Sequence, residues 1–284
     1  MRIATWNVNS LTARLPRVVE WIGYAQPDVL CLQETKQADS AFPHGAFEQL
    51  GYESAHHGDG RWNGVAIVSR VGLDQVSTGL GSPHDGEGTR LISADCGGIR
   101  VFSVYVPNGR SLEDEHYAAK LAWLAALRRL LADSASPSDL VAVCGDFNVA
   151  PEDRDVWDIG HFDGMTHVSG PERAALAALE DWGLVDTFRR LYPQEGLFSW
   201  WDYRGGAFHQ HRGMRIDLVL ATWPLAEVAR YALIDRAARR GEKPSDHAPV
   251  FVDFAMDGVG GASGRIGSGP GSVEARHSGT ERRP

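Results

Sequence analysis

The chain has 284 residues, 43% of them hydrophobic, and a formal net charge of -9 at pH 7. This length can bury a sizeable core, and the acidic balance argues against indiscriminate coating of nucleic acid, although a local basic face is compatible with it. The sequence shows neither the roughly eighteen consecutive apolar residues of a membrane helix nor a secretory signal. We therefore expect a cytoplasmic monomer with no membrane partner.

Apolar runs with strand character recur along the chain. In order they begin at Ile3, Asp28, Gly64, Arg90, Ile99, Leu140, Arg215 and His247. Many of them are uniformly apolar, which predicts strands that are covered on both faces. Gly97 and Gly98 separate two of these runs and predict a tight hairpin.

Helical periodicity occupies residues 15–24, 113–131 and 172–182. The leucines 121, 124, 127 and 131 share one face of the second helix, and we interpret such faces as packing surfaces. Strands and helices interleave irregularly, so we predict an α/β fold in which helices flank two packed mixed sheets.

Two further features concern the organisation of the chain. Residues 258–284 are rich in glycine and poor in large apolar residues, so we expect a flexible tail after a single folded domain of residues 1–257. The cysteines are odd in number and lie in apolar runs, which predicts reduced core thiols at Cys31, Cys96 and Cys144.

Polar side chains lie at the ends of several predicted strands: Asn7, Glu34, Asp146, Asn148, Asp217, Asp246 and His247. If the strands are neighbours, these ends converge on one rim, where carboxylates repel one another unless a cation is bound. Oxygen ligands without a cysteine set indicate Mg²⁺, with Mn²⁺ as an alternative. A turn or helix cap is the commoner role of any single such residue, and it is their repetition that favours a metal site.

Other chemistries have less support. The histidine pairs His56 with His57 and His209 with His211 lack the cysteine or glutamate pattern of a zinc site. Glycine-rich phosphate loops and the nucleophile elbow are missing in usable spacing. Metal-assisted attack by water is the chemistry that remains.

The sequence also resembles a known family. The segments IATWNVNS, LCLQETK, YVPNG, GDFNVAP, RIDLVLA and SDHAPV occur in the order and spacing of the exonuclease III branch of the endonuclease/exonuclease/phosphatase superfamily. The resemblance covers Met1 to Met256. It implies a four-layered α/β sandwich and a divalent-metal nuclease that acts on double-stranded DNA, 5′ to abasic sites and at 3′ ends.

By position, the resemblance implies roles for individual residues. Glu34 is similar to the main metal ligand, and the remaining residues implied near the ion are Asn7, Asp146, Asn148 and Asp246. The implied catalytic residues are Tyr105, Asp146, Asn148, Asp217 and His247. Asp146 is one candidate for the base that activates water, and His247 oriented by Asp217 is the other; the sequence leaves both open.

A loop at residues 198–206, FSWWDYRGG, is the most informative about DNA. Trp200 resembles the family residue that packs against the abasic sugar or a neighbouring base. The residues predicted to contact DNA are Lys36, Trp200, Arg204, Arg215 and His247. Eight Lys or Arg against four Asp or Glu between Arg204 and Lys243 predict a local basic surface.

Two alternatives remain: a phosphodiesterase of the same fold that acts on RNA, phosphoinositide or sphingomyelin, and a relative that binds DNA without cutting it. The LQETK and RID segments argue against the first. The complete set of carboxylates argues against the second, because such a cluster is costly to keep without a metal.

Overall fold

The computed structural model describes residues 1–81 and 88–256. Its strands are β1 (Arg2–Asn7), β2 (Val29–Gln33), β3 (Glu53–His57), β4 (Val65–Ser69), β5 (Asp74–Thr78), β6 (Leu91–Cys96), β7 (Ile99–Tyr105), β8 (Val141–Asp146), β9 (Leu184–Asp186), β10 (Asp217–Thr222), β11 (Ala229–Ile234) and β12 (Val250–Phe254). Its helices are α1 (Leu11–Ala25), α2 (His44–Glu48), α3 (Glu115–Ser134), α4 (Gly170–Trp182), α5 (Thr187–Leu191) and α6 (Trp223–Ala226).

The strands form two six-stranded mixed sheets. The first has the order β11-β12-β1-β2-β4-β3 and the second β5-β6-β7-β8-β10-β9. Apolar side chains from both sheets, such as Ile3, Val29, Val101 and Val219, form one buried cluster between them. Burial of this surface is the main favourable contribution to folding.

Helices cover the outer faces of both sheets. Helix α1 packs Val18 and Ile22 against the first sheet, and Leu124 of α3 and Leu176 of α4 pack against the second. Strand β1 shows why its sequence is uniformly apolar, since Ile3 lies between the sheets while Ala4 and Trp6 face α1. The result is the predicted four-layered sandwich of helix, sheet, sheet and helix.

Most predicted elements are present, with shifted ends. The second helix buries Lys120 rather than Leu121, which is only half-buried. The hairpin at Gly97 and Gly98 is confirmed: both have positive φ, 56° and 84°, as a type I′ turn requires. Strands β3, β5, β9 and β11 were not predicted. All four are edge strands, and they are either short or less uniformly apolar than the central strands.

The remaining expectations about the chain have these outcomes. Cys31, Cys96 and Cys144 are free and buried, as predicted. Among the described residues, no helix has both the length and the apolar character needed to cross a bilayer. The predicted tail at 258–284 lies outside the described residues.

Candidate active site

The register of the strands brings the predicted polar residues to one end of both sheets. In the second sheet Tyr105 and Asp217 are both paired with Asp146, across β7–β8 and β10–β8. In the first sheet Asn7 is paired with Gln33, so that Glu34 follows at the same rim. His247 lies shortly before β12, which pairs with β1. Residues far apart in the chain are therefore neighbours here.

Asn7 joins the two sheets at this rim. Its Nδ2 donates at 2.9 Å to Glu34 Oε1 and at 2.9 Å to Asp146 Oδ2, and Asn7 is fully buried. Glu34 Oε2 also lies 2.8 Å from Lys36 Nζ. These contacts fix two carboxylates from different sheets close to each other.

His247 lies between two carboxylates. Its Nδ1 donates to Asp217 Oδ2 at 2.8 Å, and its Nε2 lies 3.7 Å from Asp146 Oδ2. Burial alone lowers the pKa of His247, but the charges of Asp217 and Asp146 outweigh it and raise this pKa to about 10. Burial also raises the pKa of the Asp146 carboxyl, to about 7, although the charge of His247 opposes that rise.

Local backbone geometry explains why glycine precedes Asp146 and why Glu34 and Asn148 follow strands. A Cβ at position 145 would lie 1.9 Å from the carbonyl oxygen of Val104, so only glycine fits between β7 and β8. Glu34 and Asn148 have positive φ values of 51° and 50°. Such φ values are uncommon outside glycine and concentrate at functional turns.

Asn148 has both ends of its side-chain amide engaged. Its Nδ2 donates to the carbonyl of Val106 at 2.9 Å, and its Oδ1 accepts from Asn108 Nδ2 at 3.1 Å. Its backbone N–H donates to Asp146 Oδ1 at 2.9 Å. Asn148 thus links the end of β8 to the loop after β7.

Tyr105 is half-buried next to Glu34 and Asp146. Burial raises the pKa of its hydroxyl well above the usual value, and the negative charges of Glu34 and Asp146 add to this rise. The guanidinium of Arg90 lies 4.6 Å from the centre of the Tyr105 ring. The Tyr105 phenol is therefore a neutral hydrogen-bond donor at the rim.

A divalent ion fits one group of side chains at this rim. Among the described His, Cys, Asp and Glu residues, Glu34, Asp146 and His247 each offer a ligand atom, and these atoms lie within 4.8 Å of one another. Asp246, which the resemblance placed near the ion, does not join this group. Its carboxylate instead accepts from Asn9 Nδ2 at 3.1 Å and Trp200 Nε1 at 3.1 Å.

The charge on Asp246 is well stabilised. Burial raises the pKa of its carboxyl, but the positive charge of His247 and the hydrogen bonds from Trp200 and Asn9 outweigh burial and lower this pKa below the ordinary value. Asp246 therefore holds the Trp200 loop close to the carboxylate rim.

An open cleft of about 590 Å³ starts at Glu34 and runs past Tyr105. Lys36 lines it, together with the exposed Trp62 and three further cationic or ionisable side chains, Arg90, Arg110 and His116. This wall can face an anionic polymer that passes Glu34.

The residues predicted to contact DNA separate into two groups. Trp200 is half-buried and Arg204 is 92% exposed in the loop beside His247. Arg215 disagrees with the prediction: its guanidinium is 1% exposed, is bidentate to Asp155 at 2.7 and 3.0 Å, and lies 2.7 Å from Asp186. This buried ion-pair network leaves Arg215 no surface for DNA.

The segment from Arg204 to Lys243 exposes fewer cations than its count of Lys and Arg predicts. Six of its eight cations are exposed, whereas Arg215 and Arg239 are buried. Arg236 and Arg239 also lie over the ring of Trp201, at 5.4 and 5.3 Å. The exposed cations nearest the site therefore matter more than the total for the segment.

Three residues of the rim were missed by the sequence analysis. Asn9 accepts from Lys36 Nζ at 2.7 Å and donates to Asp246, Ser199 Oγ donates to Asp217 Oδ2 at 2.6 Å, and Asn108 donates to Asn148. All three lie within or next to segments that were already recognised, IATWNVNS, FSWW and YVPNG. Polarity inside those segments was the available signal.

Comparisons with known proteins agree with this geometry. Residues 4–247 match the model of the endonuclease/exonuclease/phosphatase family. The chain is 36% identical over 267 residues to exodeoxyribonuclease III of Haemophilus influenzae, covering 89% of this chain and 100% of that protein.

Two solved structures are similar over nearly their whole length. An AP endonuclease from Archaeoglobus fulgidus superimposes with a TM-score of 0.87 at 39% identity, covering 89% of this chain and 99% of that one. The 3′ phosphatase NExo from Neisseria, bound to a product DNA hairpin, has a TM-score of 0.86 at 37% identity, covering 90% and 99%.

Proposed function

The chain belongs to the endonuclease/exonuclease/phosphatase family, in its exonuclease III branch, and from this premise we propose that it is a divalent-metal-dependent DNA repair nuclease. Its substrates are phosphodiesters of double-stranded DNA, 5′ to abasic sites and at 3′ ends. One observation carries the proposal: Asn7 hydrogen-bonds Glu34 and Asp146 from opposite sheets, beside the Asp217–His247 pair. Such a rim combines a cation site with an oriented imidazole.

Magnesium suits this rim, with Mn²⁺ as a substitute. Glu34 and Asp146 supply the carboxylate oxygens that a hard cation prefers, and the amide of Asn7 already lies between them. We assign Glu34 as the main ligand and Asp146 as the second, with Asn7 holding the two carboxylates together through Nδ2; a doubly protonated His247 is not a ligand. When bound, the ion contributes positive charge that stabilises the phosphate oxygens and the leaving oxygen.

Asp146 is the residue we assign as the base for the attacking water. Both nitrogens of His247 face carboxylates, Asp217 through Nδ1 and Asp146 through Nε2, and this arrangement favours the doubly protonated imidazole. A cationic His247 binds a phosphate oxygen and cannot accept a proton. Asp146 is held by hydrogen bonds from Asn7 and from the Asn148 backbone, which fix its orientation.

Tyr105 and Asn148 complete the proposed phosphate site. The neutral phenol of Tyr105 can donate to a phosphate oxygen next to Glu34, and Asn148 fixes the turn that follows Asp146. Their contribution is electrostatic and orientational, because phosphodiester hydrolysis gathers charge on the phosphoryl oxygens.

For DNA we assign the cleft from Glu34 past Lys36 as the path of the cut strand, with Trp200 and Arg204 at the opposite side of His247. Trp200 is anchored through Nε1 to Asp246, so its ring has a fixed position for packing against a sugar or base. Stacking of this type contributes about 1 to 3 kcal/mol per base. Lys36 and Arg204 provide phosphate contacts, which position the duplex without reading sequence.

Removal of a 3′-terminal phosphate is a second candidate reaction of the same site. The 3′ phosphatase from Neisseria is 37% identical to this chain, over 90% of this chain and 99% of the phosphatase, and this similarity supports the candidate specifically. A terminal 3′ phosphate and an internal phosphodiester both have non-bridging oxygens and an ester bond to a 3′ oxygen, so one site can act on both if the cleft admits both.

The test is a time course with three labelled duplexes: one with a central abasic analogue, one with a recessed 3′ hydroxyl and one with a 3′ phosphate. Each is incubated with Mg²⁺ and with EDTA, for the wild type and for Glu34→Gln. The proposal expects Mg²⁺-dependent products that Glu34→Gln forms much more slowly at the same Mg²⁺ concentration, and product length assigns each reaction. Intact DNA under all conditions, or release of phosphate from inositol lipids instead, would overturn it.

The same experiment also tests the alternative that the protein binds DNA without cleaving it. Tight duplex binding in EDTA without any turnover after Mg²⁺ is added is the result that this alternative requires. The cytoplasmic location and the monomeric state stay predictions, as does the assignment of Mg²⁺ over Mn²⁺.

A further inference from the structure

A buried ion pair lies directly behind the candidate active site. Lys120 of α3 and Glu172 of α4 are both 0% exposed and bind each other through Lys120 Nζ and Glu172 Oε1. Lys120 occupies the same face of α3 as the core residues Leu124 and Leu127. Transfer of two charges from water into the interior costs several kcal/mol per ion, so apolar residues would be the ordinary choice here.

The remaining hydrogen bonds of Lys120 go to two loops of the site. Its Nζ donates to the carbonyl oxygen of Asn148 at 2.6 Å and to that of Asn108 at 3.2 Å. A longer contact joins Nζ to Thr166 Oγ1 at 3.4 Å, so that with Glu172 four acceptors surround the three protons of the ammonium group. One buried cation thus joins the turn after β8 to the loop after β7.

Glu172 holds a third loop against the same cation. It forms a capping box with Ser169 at the start of α4, and its Oε1 also accepts from Thr166 Oγ1 at 2.7 Å and from the backbone N–H of His167 at 2.9 Å. A capping box needs only Glu or Gln at this position. Its negative charge therefore matters for Lys120 rather than for the helix.

The two carbonyls that Lys120 binds belong to residues whose side chains meet at the site. Asn108 Nδ2 donates to Asn148 Oδ1, and Asn108 lines the cleft that starts at Glu34. The Asn148 carbonyl accepts a second hydrogen bond, from His167 Nδ1 at 2.6 Å, and Asn148 itself is in the unusual left-handed region with φ 50°. This turn needs external support to keep its conformation.

We propose that Lys120 and Glu172 are positioning residues, which set the Asn108 and Asn148 turns in the geometry that the reaction requires; the proposal rests on the proposed function. A displacement of about 1 Å in such turns can reduce a rate by about 100-fold. Neither residue touches the substrate path, since both are completely buried.

The test uses the double variant Lys120→Met with Glu172→Gln, which removes both charges together and leaves no unpaired ion. Met preserves the length of the apolar chain, and Gln keeps the capping box. Glu172→Gln alone is the second variant, and it leaves the buried ammonium of Lys120 without its counterion. Leu127→Ala on the same face of α3 is the control, because it destabilises the helix packing without a contact to either turn.

Two measurements are made on each protein: kcat and KM on the labelled duplexes, and amide hydrogen exchange of peptides covering residues 105–111 and 146–151. The proposal expects faster exchange in these two peptides and a kcat reduced by about 10- to 100-fold in the double variant, with KM within about threefold of the wild type. Glu172→Gln should show the same pattern with changes at least as large, because Lys120 then lacks its counterion.

Unchanged exchange in the two peptides, or an unchanged kcat, overturns the proposal. So does Leu127→Ala if it reproduces both effects, because the effects would then follow from stability alone. If the wild type itself cleaves none of the duplexes, the proposed function fails, whereas the exchange data still decide whether the ion pair holds the two turns.

Discussion

Asp217→Asn removes the charge that faces the imidazole of His247 while it preserves the shape of the side chain. Asp217 accepts from His247 Nδ1 at 2.8 and 3.1 Å and from Ser199 Oγ at 2.6 Å. All three residues are buried, so water cannot replace the lost interaction. Loss of one partner of a buried charge pair costs about 2 to 5 kcal/mol.

If the variant loses about 3 kcal/mol of the stabilisation that His247 gives to the charge of the transition state, kcat should fall by roughly 150-fold at pH 7.5. The sign of the pH dependence follows from the pKa of His247, which the carboxylates raise to about 10 against the effect of burial. In the variant, burial has less opposition and this pKa falls. His247 is then protonated to a smaller extent at pH 7.5 and to a larger extent in acid, so the deficit relative to the wild type should shrink as the pH falls.

The assay is single-turnover cleavage of the abasic duplex between pH 5.5 and 9, with the ratio of wild-type to variant rate plotted against pH. Ser199→Ala is the matched control: it removes the hydrogen bond to Asp217 Oδ2 and those that Ser199 Oγ accepts from the backbone N–H groups of Ile216 and Asp217, but it leaves the carboxylate. Only one of these bonds reaches the charge pair, so we expect a loss of about 1 kcal/mol in the rate, or roughly fivefold. A variant rate within threefold of the wild type at every pH would refute the assigned role of the pair.

Three other perturbations test separate parts of the structure. Glu34→Gln should weaken the apparent Mg²⁺ affinity by about 100-fold, measured by Mg²⁺ titration of cleavage; an unchanged titration curve would exclude Glu34 as the main ligand. Arg215→Met should lower the free energy of unfolding by about 3 to 5 kcal/mol in urea, since the buried Asp155 then keeps only its ion pair with Arg189 and Asp186 loses its ion pair with Arg215, while DNA affinity of the folded protein stays the same; a loss of affinity without destabilisation would contradict this. Burial lowers the pKa of His56 to about 4 despite the nearby Asp39. The contribution of the neutral imidazole to the free energy of unfolding is therefore fully present above pH 6.5 and is lost as the pH falls towards 4. Between pH 7 and pH 5 the free energy of unfolding should therefore fall by about 2 kcal/mol less in His56→Gln than in the wild type. An equal fall in both proteins would argue against a neutral buried imidazole.

Much of the fold and of the rim follows from local sequence. Strands covered on both faces are uniformly apolar, and this pattern identified β1, β2, β4 and β8 without reference to their neighbours. Polar residues directly after such strands must leave the core at a sheet end, which is why Asn7, Glu34 and Asp146 could be grouped in advance. Edge strands such as β5 are exposed throughout and lack this pattern.

Long-range partners were the information that the sequence did not contain. Arg215 was predicted to contact DNA within a segment that has an excess of Lys and Arg, yet its partner Asp155 is 60 residues away. Lys120 was overlooked because lysine on an amphipathic helix ordinarily marks the solvent face, and its partner Glu172 is 52 residues away. Both cases concern buried charges, whose burial depends on a counterion from another element.

The central claim is that the carboxylates of two sheets form one cation-dependent site in which Asp146 activates water. Single-turnover cleavage of an abasic or 3′-ended duplex as a function of Mg²⁺ concentration, for the wild type and for Asp146→Asn, tests it most directly. We predict cleavage that saturates with Mg²⁺ in the wild type, and at least a 1000-fold lower rate in Asp146→Asn with duplex binding retained, on the order of the loss seen when a catalytic base is removed. Cleavage that persists in EDTA, or an Asp146→Asn rate equal to that of the wild type, would contradict the claim.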